Sequence, residues 1–325
     1  MPDIIGIVLW PIKFVIEAIL VGFHTFFTFL GLDGDSGLSW VLSIVGLTLI
    51  VRAALIPLFV KQIKSQRKML EVAPQLKKIQ DKYKGKKDQY SREAMSRETM
   101  ALYGKHGTNP FSSCLPLLAQ MPIFFSLYTV LINAANYTQH PEGVGLMNEQ
   151  LSKSFGTSEF LGAPLHASIQ SAMAMDPVNV AAIAIAVTMV VLMTASQFFT
   201  QLQLVSKNMS EETKASPMFR QQRILLYILP LVFLFSGFAF PIGVMFYWLV
   251  SNFWTAGQQF IVIRNMPTPG SQAALERESR LARKRQKRGL PEIVEDAPEV
   301  APEPKTPQRQ QPVGKQRSKK KAGGR

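Results

Sequence analysis

A single cysteine, Cys114, excludes an intramolecular disulfide and a cysteine-based zinc site, so the chain says nothing about its redox compartment. The same scarcity leaves the N-terminal region without a lipobox, and no basic n-region precedes its apolar stretch. There is no GxxxxGK[ST] loop, no cluster of metal ligands and no Ser/His/Asp arrangement, so neither an enzyme nor a cofactor is expected. No internal repeat is found, which weighs against the symmetric build of many secondary transporters.

What the chain has is apolar sequence in long blocks and basic charge in short ones. Its 325 residues are 47% hydrophobic. Four segments are long enough to span a bilayer: Leu38 to Val60, Cys114 to Asn133, Val178 to Gln203 and the near-continuous Ile224 to Ile263. The last is too long for one crossing at ~1.5 Å per residue, and Pro241, flanked by Gly237 and Gly243, divides it into two helices joined by a tight hairpin. The fold class expected is therefore all-α, an integral membrane bundle of five helices.

Charge sets the orientation. Between Lys61 and Pro110 stand thirteen Lys/Arg against five Asp/Glu. Residues 134–176 hold one Lys against four acids, and residues 201–223 hold four basic residues against two. Basic loops stay in the cytoplasm, which places the N-terminus outside and the C-terminus inside. The expected order is an outer interfacial amphipathic helix in 1–37, TM1 in 38–60, a cytoplasmic helical hairpin in 61–110 and TM2 in 111–133. An extracytoplasmic loop (134–177), TM3 (178–203), a cytoplasmic loop (204–223), TM4 (224–240) and TM5 (241–263) follow. The first of these rests on Lys13, Glu17, His24 and Thr28, which recur on one face of Ile4 to Leu30; a spanning signal-anchor is the alternative. From Arg264 the chain carries sixteen Lys/Arg against seven acids and has few apolar residues, so 264–325 is expected to be a disordered basic cytoplasmic tail.

Polar residues within the spans are costly, so their positions carry functional information. Arg52 lies nine residues from Lys61, an expected depth of ~13 Å, with Thr48 one turn further in on the same face. Gln120 lies six residues from Cys114. Thr194, Gln197 and Gln201 form a stripe on the third span, and Trp248, Asn252, Thr255 and Gln259 form another on the fifth. Most fall in the inner halves, while Val178 to Val187 and Ile242 to Phe246 are almost wholly apolar. The pattern predicts a wet cavity open to the cytoplasm and sealed toward the outside; a channel would need polar lining throughout. Each residue also has a plainer reading: Arg52 can snorkel, Gln201 and Gln259 can be helix-end residues, and Tyr247 and Trp248 can be bundle packing. A small-solute transporter or anion channel using Arg52 and a membrane-anchored docking protein are the competing functions.

The stretches VRAALIPL from Val51, NPFSSCLPLLAQMPIFFSLY from Asn109 and FPIGVMFYWLVSNFWTAGQQ from Phe240 resemble the YidC insertases and their mitochondrial and chloroplast relatives. The similarity runs from about Trp10 to Arg264, and the outer loop with EFLGAPL looks like the Gram-positive branch that lacks a large periplasmic domain. The resemblance implies a membrane protein insertase and chaperone of the bacterial plasma membrane, with nascent membrane proteins, the ribosome, anionic lipids and the Sec translocon as candidate partners. It implies a hydrophilic groove with Arg52 and Thr48 at its centre, joined in our reading by Gln120, Gln197, Asn252, Thr255 and Gln259. Gln120, Met121, Phe124, Tyr247 and Trp248 match positions along which a substrate helix is thought to slide; the family often has a second Tyr where Trp248 stands. The helix APQLKKIQDKYKG, a turn near Gly85 and a return helix through Tyr103 look like the family's cytoplasmic hairpin.

Overall fold

A computed structural model describes residues 4–86, 88–107, 115–136, 145–209, 228 and 237–289. Within these ranges the chain is helical apart from one two-stranded hairpin. The chain divides into two compact units, Met1–Ser279 and Arg280–Arg325. TM4, expected at 224–240, lies outside the described residues except for Ile228 and residues 237–240.

Four described helices are long and apolar enough to cross a membrane by length and composition: Gly6–Phe29 within α1 (Ile4–Phe29), α2 (Gly37–Ala54), Leu118–Ala135 within α5 (Leu115–Ala135), and α8 (Val180–Asn208). A further helix, α9 (Ile242–Asn265), has 24 residues but carries the run SNFWTAGQQ. Half of α2 is buried, against 17–28% of the other three, which makes α2 the centre of the bundle. Its face of Trp40, Ile44 and Leu47 packs into a core shared with Leu127 and Leu131 of α5, Met189 and Met193 of α8, and Ile242 and Met245 of α9.

Sequence chemistry explains where the elements start and stop. Ser36 caps α2 by accepting from the Ser39 amide, and Asn179 caps α8 by accepting from Ala182 at 2.8 Å. α3 (Ile56–Lys82) follows α2 directly through Leu55, itself in right-handed helical conformation, with Pro57 in the first turn of α3. Proline lacks the N–H that would bond the Ala53 carbonyl and its ring crowds that carbonyl, so the hydrogen-bond ladder is interrupted at the junction, while the bonds from Leu55 to Val51 and from Phe59 to Leu55 carry across it. At the far end of α3, Gly85 at φ +85° turns the chain into α4 (Gln89–Lys105), capped by Asp88. Val72, Leu76 and Tyr103 are buried in the α3–α4 pair, and Glu98 accepts from Lys82 and Tyr83 to close its tip. We call this the hairpin end of the bundle.

At the other end, the segment expected as a plain loop is a folded cap. It comprises α6 (Glu149–Thr157), strands β1 (Glu159–Phe160) and β2 (Ala163–Pro164) in antiparallel register, and α7 (Ile169–Met173). Leu165 and Ala167 of this cap are fully buried. Their carbonyls accept from Gly243 and Ile242 at 2.8 and 2.9 Å, and Gln170 donates its amide to Phe238.

Two expectations are corrected. The polar stripe of α1 does not face water as a whole: Glu17 and His24 are 1% and 5% exposed, while Trp10, Phe14, Val15 and Phe26 of the same helix are exposed. Glu17 accepts from the Met147 amide, and His24 donates to the Gly34 carbonyl at 2.8 Å while stacking on Trp40. These polar groups turn inward because Met147 before α6, Gly34 between α1 and α2, and Trp40 of α2 supply partners that water would otherwise have to supply. The basic segment after Arg264 is not uniformly irregular either, since residues Gln272–Gln286 form a helix, α10. Its run of Ala, Leu, Glu and Arg consists of good helix formers, which offsets the shortage of apolar residues.

Two measurements check this packing. A Cβ at Gly37 would lie 2.3 Å from the Glu159 backbone, which cannot swing away, so Gly37→Ala should destabilise the detergent-solubilised protein by about 3 kcal/mol or more, whereas Gly22→Ala, with open space around it, should be tolerated. Burial pushes the His166 imidazole of the cap below its usual value of 6.5, against smaller upward pulls from the Gly156 backbone and Glu159. The unfolded chain then takes up that proton first, so the histidine's contribution is intact above its unfolded value and is lost as pH falls through 6.5 toward the lower folded value. Between about pH 7.5 and about pH 5 the melting temperature of the wild type should fall more than that of His166→Gln; equal slopes would contradict the assignment.

Candidate functional site

Arg52 lies in the last turn of α2, just before its junction with α3. Helical side chains lean toward the helix N-terminus, which for α2 is the cap end. Arg52 accordingly reaches back into the bundle, where its Nε donates to the Ser251 hydroxyl of α9 at 3.3 Å. Ser251 lies nine residues into α9, ~14 Å along it, so the guanidinium is drawn toward the bundle interior and not snorkelled toward the hairpin end.

Ser251 is one turn from Tyr247, and Tyr247 is 1% exposed. Its phenol accepts from the Gln120 side chain of α5. Arg52 and Gln120 thus bond two residues on one face of α9, tying α2, α9 and α5 together at a similar level. Thr48, one turn from Arg52, is fully buried and its hydroxyl donates to the Ile44 carbonyl at 2.6 Å. Thr255 likewise returns its hydroxyl to the Ser251 carbonyl. Neither threonine hydroxyl points a free proton into open space, although each keeps acceptor capacity.

On the opposite flank Asn252 donates to the Met193 carbonyl of α8 at 3.4 Å. Gln197 is half-buried on α8. Gln259 lies further toward the hairpin end, in a crevice with Phe199, Thr200 and Gln203 of α8 and Ala256 and Phe260 of α9. The structure therefore brings Arg52, Gln120 and Tyr247 into one neighbourhood and sets Gln259 apart from it. Two polar atoms of the α8 stripe, Thr194 Oγ1 and Gln201 Oε1, are buried without a hydrogen-bond partner among the described residues. Such groups are uncommon in folded proteins because each forfeits its solvation.

The aromatic positions form a second cluster. Phe124 of α5 stacks on Trp248 of α9 with centroids 4.8 Å apart and planes at 9°. Phe240 meets both edge-on, at 6.0 Å from Phe124 and 4.9 Å from Trp248, and Tyr128 lies 5.9 Å from Phe240. Met121, one turn before Phe125, is exposed beside them at 39%. A shaped apolar surface thus spans α5 and α9 next to the polar crossing.

The sequence reading missed Ser251, Tyr128 and Phe240. Ser251 was legible as the residue midway between Tyr247 and Thr255 at i, i+4, i+8. Phe240 was hidden by standing before Pro241, outside any helical stripe. Among the described residues there is no group of three or more His, Cys, Asp or Glu that could hold a metal ion.

The sequence matches the family described as 60Kd inner membrane protein over residues 31–269. It is 44% identical over 325 residues to the membrane protein insertase YidC of Tropheryma whipplei strain Twist, covering 98% of each chain. Its identity to the insertase of the same name from Bifidobacterium longum is 37%, covering 96% of this chain and 95% of that one. For the Streptomyces avermitilis protein of that name it is 45% over 264 residues, 78% of this chain and 58% of the relative.

A double-mutant cycle checks the polar crossing. Gln120→Leu and Tyr247→Phe should couple by about 0.6 to 1.7 kcal/mol in stability, the range for side-chain hydrogen bonds between transmembrane helices. Additive effects would show that the two side chains do not interact.

Proposed function

The chain belongs to the YidC membrane protein insertase family, and from that premise we propose that it receives nascent membrane proteins in a groove open toward the cytoplasm, helps short polar segments cross, and releases apolar helices sideways into lipid. It is a multi-pass bacterial membrane protein of mostly helical build. In the proposed topology the cap faces outward, and the hairpin and the basic C-terminal region face the cytoplasm. α1 lies on the outer side with Glu17 and His24 turned inward to Met147, Gly34 and Trp40.

The observation that carries this reading is the placement of the polar side chains that bond between α2, α5, α8 and α9. Arg52, Gln120, Ser251, Asn252, Gln197 and Gln259 lie from the middle of the bundle toward the hairpin end, while Leu165, Ala167, Ile242 and Val244 close the cap end as fully buried residues. A path polar on one side only can take a segment partway across, and then needs no nucleotide: partition of the following apolar helix into lipid drives the last step. Bringing an unpaired backbone group into hydrocarbon costs several kcal/mol, and the unpartnered oxygens of Thr194 and Gln201 are acceptors that offset part of it. Arg52 supplies the positive charge that recruits acidic or polar segments, Thr48 shapes the wall behind it, and Thr255 continues the polar face. Met121, Phe124, Tyr247 and Trp248 give the surface along which a substrate helix moves. The α3–α4 hairpin and the basic C-terminal region engage the ribosome and anionic lipid through phosphate contacts, and the Sec translocon is a further partner. The one-sided lining disfavours a small-solute channel.

The test is insertion of substrates that differ in the charge of their translocated segment. Arg52→Ala should slow insertion of those with acidic segments more than neutral ones, and Arg52→Lys should retain more activity than Arg52→Ala because the charge remains. Full activity of Arg52→Ala on every acidic-tailed substrate would count against the role of the arginine.

A further inference from the structure

The β1–β2 hairpin of the cap turns through Leu161 and Gly162 alone, with φ of 54° and 79°. Two consecutive residues at positive φ in a two-residue loop make the tight turn that suits the twist of antiparallel strands, and asparagine or glycine is the residue its first position favours. Leucine there is a backbone outlier, and Leu161 is the one non-glycine residue at positive φ among the described residues. Its side chain gains nothing from the protein in exchange, being 76% exposed.

The location of the tip says what covers it. Asn179 Nδ2 donates to the Gly162 carbonyl at 3.1 Å, and a Cβ at Gly162 would lie 3.7 Å from that of Ala181, so the tip is fastened to the first turn of α8. On α8 the predominantly apolar run is Val180–Phe199, after which come Gln201, Gln203, Ser206 and Lys207. That run of twenty residues, at ~1.5 Å each, matches a hydrocarbon core of ~30 Å and sets the bilayer boundary near Val180. Val178 and Val180 beside the tip are 50% and 70% exposed, continuous with exposed Val187 and Val191 further along the helix.

We infer that Leu161 is a membrane anchor, inserted among the lipids of the leaflet at the cap end, which holds the cap at the bilayer surface beside α8. The turn accepts an unfavourable residue because only an apolar side chain can make that contact. This goes beyond the insertion reading and does not depend on it.

Spin labels on single cysteines, placed in a Cys114→Ser background and reconstituted in phosphatidylglycerol/phosphatidylethanolamine vesicles, test it. Leu161→Cys is compared with Val187→Cys on the lipid-facing side of α8 and with Lys153→Cys on the exposed face of α6. The collision ratio of oxygen over a water-soluble nickel chelate should be high at 161, as at 187, and low at 153. A ratio at 161 as low as at 153 would place the tip in water and overturn the inference. Low collision with both reagents would show a protein surface covering the tip, and would overturn it equally. As a second variant, Leu161→Asn should fit the turn better and raise the melting temperature in detergent. In vesicles it should make a label at Val178 more accessible to the nickel chelate than in the parent, and an unchanged label would also contradict the anchor.

Discussion

Two backbone hydrogen bonds hold the architecture in its one-sided form. A helix starts with N–H groups that have no partner within it, and in a bilayer each must find one elsewhere. In α9 the first residue before the helix is Pro241, which has no N–H, and the next two amides go to the carbonyls of Ala167 and Leu165 in the cap. The cap and α9 are thereby fixed together, and the same end gains Phe155 against Trp40 and Phe160 against Phe246. Among the described residues the polar groups further along α9 lie away from that packed end.

The proposed function rests on this asymmetry more than on any single residue. Arg52 and Gln120 reach α9 from two different helices and bond Ser251 and Tyr247, so the polar crossing is built between helices and depends on their being held in register. Beside it the stacked Phe124 and Trp248 present apolar area without charge. A polar recess adjoining an apolar ridge suits a substrate with both characters: a hydrophilic end that needs hydrogen bonds and a helix that belongs in lipid.

Much of this was legible in the sequence because membrane spans declare themselves by local composition. The long apolar blocks give α2, α5 and α8, Gly85 lies in the turn between α3 and α4, and Pro241 lies at the start of α9. What the sequence concealed is non-local. Strands of two residues in the cap have no periodicity to read, and the burial of Glu17 and His24 depends on Met147, Gly34 and Trp40 arriving from elsewhere. The partner of Arg52 was hidden for the same reason: its side chain turns inward to Ser251, a serine 199 residues away in sequence. The basic helix α10 was masked by a composition that reads as disorder until helix propensity is weighed.

Site-specific photo-crosslinking to a ribosome-stalled nascent membrane protein probes the central claim most directly. A photoreactive residue at Trp248 should give adducts with the nascent chain, whereas one at Phe253, some five residues on and on the opposite, 55%-exposed face of α9, should give few or none. Equal adducts from both faces, or none from Trp248 while insertion proceeds, would contradict a groove on the α5 side of α9.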